Sequence, residues 1–441
     1  MGHMVHGGVY KALQQRLNDN VTGAPATDAM IELLKLRFSH DDAALAARMP
    51  HRPASGSSLS RALGIALPEL ERRLETMAEK GLVFDFDLGG VRHFMLAPAV
   101  IGFVEFTYMR LNHHATPEIT ALPDVLHRLE TADIEFAKAV FAPGSTTQIG
   151  RVLPHETQLP SGDHASVLDY DTASAVLSEQ DVFAVGTCYC RHQQEHLGTP
   201  CSFPQEVCLS MGMGAEFMIR RQMAKQIDRA EACDILAMCR DRGLVHIADN
   251  VQRRIGYICN CCKCCCGQLR AITQWGLNNA VVTSRYIAII NPDRCTGCGA
   301  CLDGCPVNAL SLSAPSDAHP RGVAVVDDGI CLGCGVCATA CRPRAAALAP
   351  RQQRVLTPEG TIERILLMAL ERGKLAPLVF PNNPSSLTQR WATGLLRAIL
   401  NLPPAKRLLL HDRVKSTFVR SIIQLLNKTD TTQTIQELAQ K

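Results

Sequence analysis

Residues 291–310, NPDRCTGCGACLDGCPVNAL, and 326–348, VDDGICLGCGVCATACRPRAAAL, decide how this chain is read. Each holds the spacing C-x2-C-x2-C-x3-C: Cys295, Cys298, Cys301 and Cys305, then Cys331, Cys334, Cys337 and Cys341. Cys331 follows Cys295 by 36 residues, and the flanking residues repeat with it, so the segment is an internal duplication. Three thiols two residues apart can wrap one corner of a compact metal cluster. Gly297, Gly299, Gly333 and Gly335 let the backbone pass close to it. Zinc sites usually pair cysteines as two short arms, a pattern neither quartet follows.

Over residues 286–350 the chain resembles the bacterial two-cluster [4Fe–4S] ferredoxin family. In that family the fourth cysteine of each run ligates the other cluster. The resemblance implies Cys295, Cys298, Cys301 and Cys341 around cluster 1, and Cys331, Cys334, Cys337 and Cys305 around cluster 2. It departs from the pattern once: Pro306 follows Cys305 directly, whereas Arg342 stands between Cys341 and Pro343.

All 20 cysteines lie between Cys188 and Cys341. Dense clusters of this kind point to metal in a reducing compartment rather than to disulfides. The first residues carry no apolar stretch after a charged start, so a secretory signal is not expected. No apolar run approaches the ~18 residues needed to span a bilayer. A net charge of +3 and 20% charged residues give no overall bias toward nucleic acid or membrane. The expectation is a cytoplasmic multidomain α+β protein: 1–110, 111–285, 286–350 and 351–441.

Upstream lies a second thiol-rich region. Cys188, Cys190, Cys201 and Cys208 precede the run Cys259, Cys261, Cys262, Cys264, Cys265 and Cys266, ten thiols in all. Six cysteines in eight residues cannot all face one site. In an extended chain Cys259 and Cys261 would face one way, and Cys262, Cys264 and Cys266 the other. Three readings compete: a third iron–sulfur cluster drawing on both stretches, a substrate or soft-metal thiol site, and packed thiols without metal. Arg191, His192, His196 and His246 lie near these cysteines in sequence. Cys233 and Cys239 fall in an expected helix over 215–242 and read as core. Gly212-Met-Gly214 is half of a dinucleotide fingerprint without its third glycine. The chain has no radical-SAM spacing, haem attachment motif, H-E-x-x-H or Walker A loop.

Before this, helices are expected over 28–38, 41–48, 57–63 and 68–80, with a hairpin over 82–96 turning at Gly89-Gly90. Residues 28–98 resemble winged helix-turn-helix domains by this pattern. The presumed reading helix opens on Glu69 and Glu71, and residues 1–110 carry twelve Lys+Arg against twelve Asp+Glu. DNA affinity rests on phosphate neutralisation, so a docking or structural role is expected instead. Between 111 and 187, Asp171 reads as the cap of a helix to Ser178, and 182–187 as a strand delivering Cys188.

The tail is expected to be helical, with Leu387, Trp391, Leu395 and Ile399 on one stripe before Pro403-Pro404. Eight Lys/Arg against one acid between Ser385 and Lys428 suit either docking on this protein or peripheral contact with an anionic membrane. Taken together, the residues predict an iron–sulfur electron-transfer protein or oxidoreductase subunit. Its clusters would relay electrons between a redox partner protein and the upstream thiol site. A redox-sensing regulator using Arg72, Arg73 and Arg92 on DNA is the alternative, and a cluster carrier a third class.

Overall fold

The computed structural model describes residues 6–109, 117–160, 169–353 and 355–379. Leu387, Trp391, Leu395, Ile399, the Pro403-Pro404 break and the basic run lie outside them. The chain packs as two units: 1–108 with 112–147 and 360–441, and 109–111 with 148–359.

In the first unit polar caps start the helices. Thr27, Ser39 and Ser55 accept the N–H groups of Met30, Asp42 and Ser58 at 3.1–3.3 Å, opening Asp28–Arg37, His40–Ala46 and Gly56–Leu63. Pro68 sits in the first turn of Leu67–Glu79, whose Leu70, Leu74 and Met77 are buried. Strands β1 (Ala54–Ser55), β2 (Val83–Leu88) and β3 (Val91–Leu96) form one antiparallel sheet in the order β1-β3-β2. Gly89 and Gly90, both at positive φ, close the β2–β3 hairpin as a two-residue turn. The helix Pro117–Thr131 packs on Asp28–Arg37.

The helix Thr361–Glu371 belongs to this unit too. The Glu371 carboxylate ends it by accepting from the hydroxyls of Ser145, Thr146 and Thr147 and from the Thr147 N–H.

The second unit is built on six strands: β4 (Gly150–Leu153), β5 (Phe183–Thr187), β6 (Glu206–Met211), β7 (Ala224–Ile227), β8 (Val245–Asp249) and β9 (Tyr257–Cys261). Their order is β4-β8-β9-β6-β5-β7, and every pairing is antiparallel. Leu153, Leu177, Phe183, Leu209, Met211, Leu236 and Ile258 are among its buried core.

Two local expectations are corrected here. The helix expected over 215–242 is two helices, Gly212–Arg220 and Arg229–Asp241, with β7 between them. Gln222 adopts positive φ and breaks the first helix. Asp228 and Glu231 then form a reciprocal capping box that starts the second. Thr172, rather than Asp171, precedes Ala173–Ser178; Asp171 faces Arg151 at 3.9 Å and Arg285 at 3.5 Å.

The duplicated segment forms two strand–helix–strand halves. β10 (Tyr286–Ile290) and β11 (Leu310–Leu312) flank the helix Ala300–Gly304; β12 (Ala324–Val326) and β13 (Ala346–Pro350) flank Val336–Ala340. The strands pair across the repeat, β10 with β13 and β11 with β12, both antiparallel. That interleaving carries the fourth cysteine of each half toward the other half's thiols. Among the described residues no helix is long and apolar enough to cross a membrane.

Candidate metal centres

Two cavities open inside the duplicated segment, with about 340 and 310 Å3 of empty space counting their open mouths. Cys295, Cys298, Cys301 and Cys341 line the first; Cys305, Cys331, Cys334 and Cys337 line the second. Apart from Thr296 beside Cys298, the remaining walls are backbone and aliphatic side chains, among them Ile290, Leu312, Ala288, Val307 and Leu332. All four thiols of the second cavity are buried, whereas Cys298 of the first is exposed.

Backbone N–H groups point at the sulfurs: Ala309 to Cys305 at 3.2 Å, Ala324 to Cys295 at 3.5 Å, and Ala345 and Ala346 to Cys341 at 3.2 and 3.4 Å. Such donors stabilise thiolate ligands and raise a cluster's potential. Burial pushes the Cys334 thiol up and Cys337 to about 12, so these two thiols stay protonated unless a cation takes the protons' place. Four convergent sulfurs, N–H donors and a dry wall fit a cubane in each cavity.

The ten upstream thiols converge at one end of the six-stranded sheet and sort into two groups. β5 delivers Cys188 to the start of the helix Tyr189–His196, while β6 carries Cys208 and β9 carries Cys259 and Cys261. The chain then turns through 262–266, with the Cys266 N–H on the Cys262 carbonyl at 3.3 Å, and enters the helix Gly267–Trp275.

This turn corrects the extended-chain reading. Cys266 swings back to the strand thiols, and Cys265 joins Cys262 and Cys264. Cys201, Cys262, Cys264 and Cys265 have all four sulfurs within 4.8 Å of one another. The other six form a string of thiol contacts in the order Cys188, Cys190, Cys266, Cys261, Cys259, Cys208. Along it, hydrogen bonds from neighbouring thiols draw Cys188, Cys259 and Cys266 down, the last also held by the N–H groups of Gln268 and Leu269. Cys190 and Cys261, the donors, are pushed up.

Arg191 lies fully buried between the two groups. Its guanidinium donates to the carbonyls of Pro204 and Asn260 and sits 5.9 Å from the Phe203 ring centre. Burial opposes its charge, but the sulfurs of Cys188, Cys262 and Cys261 outweigh that and hold it protonated. The Cys265 thiol first, and then Arg191, bring Cys262 down to about 5.

Among the described residues, no histidine belongs to the four-sulfur group. His192 and His196 face each other at 3.1 Å between their Nε2 atoms. His246 Nδ1 donates to Asn260 Oδ1 at 2.6 Å and its ring lies 5.2 Å from that of His155. His155 bridges to the ferredoxin-like segment: its N–H donates to the Cys334 carbonyl at 2.9 Å, its Nε2 to the Leu244 carbonyl at 2.9 Å, and its Nδ1 lies 3.0 Å from Thr339 Oγ1. Burial holds both rings neutral, with His246 drawn down to about 3. A second tie is Lys263, set between Cys262 and Cys264, which donates to the Asp303 carbonyl between Cys301 and Cys305.

Sequence reasoning missed His155 and the Asn260 side chain, and it set Cys266 beside Cys262 and Cys264; a buried polar pair gives no spacing signal. Cys239 is buried as expected, but Cys233 is exposed.

Residues 294–345 match the 4Fe-4S dicluster domain family. A stretch of 27 residues is 56% identical to a protein described as "Probable ferredoxin" from Methanosarcina thermophila. It covers 6% of this chain and 47% of that relative, so the likeness spans about half of the relative's length. No solved structure matches the chain. The segment 294–345 is therefore a 4Fe–4S dicluster domain.

Proposed function

We propose that the dicluster domain relays electrons between a redox partner protein and the upstream thiol centre, as an electron-transfer protein or oxidoreductase subunit. The observation that carries this is the Lys263 bond to the Asp303 carbonyl, which seats the Cys262–Cys266 turn against the helix Ala300–Gly304, between Cys301 and Cys305. When bound, each cubane supplies a one-electron store, with a potential set by the protein around it.

The chain's own residues then grade the path. Exposed Cys298 makes the first cavity the entry for a partner. The buried second cavity lies inward, against His155 and the sheet that holds the upstream thiols. The compartment in this reading is the cytoplasm, with the basic tail available for peripheral contact.

The regulator reading has the helix and hairpin order of 28–96 in its favour, but two of its three cations are engaged. Arg92 pairs with Glu75 and with Asp85 at 2.9 Å, and Arg73 donates to the Asp41 carbonyl at 2.8 Å. We therefore place DNA outside its partners.

The test is a reductive titration of anaerobically purified protein followed by paramagnetic resonance. The expected result is uptake of at least two electrons per chain, about one per dicluster cubane, between roughly −700 and +450 mV. A chain that takes up none in that window is not a relay.

A further inference from the structure

The two upstream sulfur groups differ in shape as well as membership. In the tetrad of Cys201, Cys262, Cys264 and Cys265, all sulfurs lie within 4.8 Å of each other, and Cys264 and Cys265 are 3.6 Å apart. A single tetrahedral ion with metal–sulfur bonds of about 2.3 Å sets its ligands roughly 3.8 Å apart. Among the described residues, the eight dicluster thiols form no group so contracted, because their cavities leave room for a cubane between them. The tetrad is thus the size of one ion.

The remaining six thiols are a string, not a knot, and six exceed the four ligands that one ion or one cubane takes. Cys190, Cys261 and Cys266 are buried, and Cys188, Cys208 and Cys259 are partly exposed, so the group has a dry floor and an open side. Its residues come from the end of β5, from the helix Tyr189–His196, from β6, from β9 and from the start of Gly267–Trp275, five elements set by the sheet. Arg191, the cation between the groups, cannot offset this many sulfurs alone. Its Nε is buried without a hydrogen-bond partner, and the thiols of Cys188, Cys261 and Cys262 lie around the guanidinium.

We propose that the upstream thiols form two separate centres: the Cys201 tetrad takes one divalent ion, zinc or iron. The group of Cys188, Cys190, Cys208, Cys259, Cys261 and Cys266 takes a polynuclear iron–sulfur cluster. The inference deepens the relay reading, since the polynuclear centre becomes the terminus the dicluster serves and the tetrad ion holds the turn between them.

Two double variants of the full chain, purified anaerobically, test it by metal and sulfide analysis. Cys201→Ser with Cys264→Ser is expected to lose one ion and no sulfide. Cys208→Ser with Cys259→Ser is expected to lose about four or more irons with matching sulfide, keeping the tetrad ion and the dicluster's eight. Loss of the same metal from both variants means one shared centre and overturns the proposal. So does loss of four irons with sulfide from the Cys201 pair.

Should either variant fail to fold, X-ray absorption on the unaltered chain decides. One ion with four sulfurs at about 2.3 Å and no metal neighbour supports the tetrad assignment, and its absence sinks it. Electron uptake by the dicluster is read separately, so a failed relay leaves this result standing, and the converse holds.

Discussion

Gly333→Ala is expected to empty the inner cavity of the dicluster domain while leaving the outer one loaded. Gly333 lies between Cys331 and Cys334 at φ +68°, a region that costs a residue with a side chain about 1–2 kcal/mol. The larger effect is steric. A methyl group there would overlap the Tyr286 carbonyl on β10 and the Ser284 hydroxyl, which itself donates to the Gly333 carbonyl at 2.7 Å and accepts from the Tyr286 N–H at 3.1 Å.

The Tyr286 backbone cannot give way without disturbing the β10–β13 pairing in which Tyr286 faces Pro350. The variant should lose about four irons per chain in metal analysis. Gly299→Ala is the control: it also stands at positive φ, at +79°, but nothing lies within 4 Å of an added methyl, so it should keep its iron. Full iron in Gly333→Ala would mean that the backbone there is not the wall of a cluster site.

Arg191→Met should strip metal from the upstream thiols and destabilise the sheet unit, with the dicluster iron retained. Methionine fills much of the volume but leaves the Pro204 and Asn260 carbonyls without their donor and the sulfurs of Cys188, Cys261 and Cys262 without their cation. Removing one side of a buried charge pair typically costs about 3–5 kcal/mol. Metal analysis and the urea midpoint of the variant measure the two effects. Arg191→Lys should recover only part of either, because an ammonium is a point charge and cannot fork to two carbonyls. A variant with the full metal complement and an unchanged midpoint would show that the guanidinium is mere filling.

The dicluster segment was legible because its chemistry is local: ligand spacing, glycines and the 36-residue repeat all sit in the letters between 291 and 348. The amphipathic helices and the Gly89-Gly90 turn near the N-terminus were legible for the same reason, their caps and stripes being contiguous. The sorting of the ten upstream thiols was not. It depends on a loop returning Cys201 to the Cys262 turn and on β6 lying beside β9, and both are pairings of distant residues.

The apolar letters of 215–242 fit a helix throughout, and only the positive φ at Gln222 and the capping box at Asp228 divide it. His155, far from any cysteine in sequence, reaches Cys334 because β4 ends at the ferredoxin-like segment.

The most direct measurement is iron and acid-labile sulfide per chain on anaerobically purified protein, with absorption spectra before and after reduction. About twelve irons or more are expected, eight in the dicluster cavities and the rest in the upstream thiol centres, with visible absorption that bleaches on reduction. Four irons or fewer in intact protein, or iron that does not respond to reductant, would contradict that expectation.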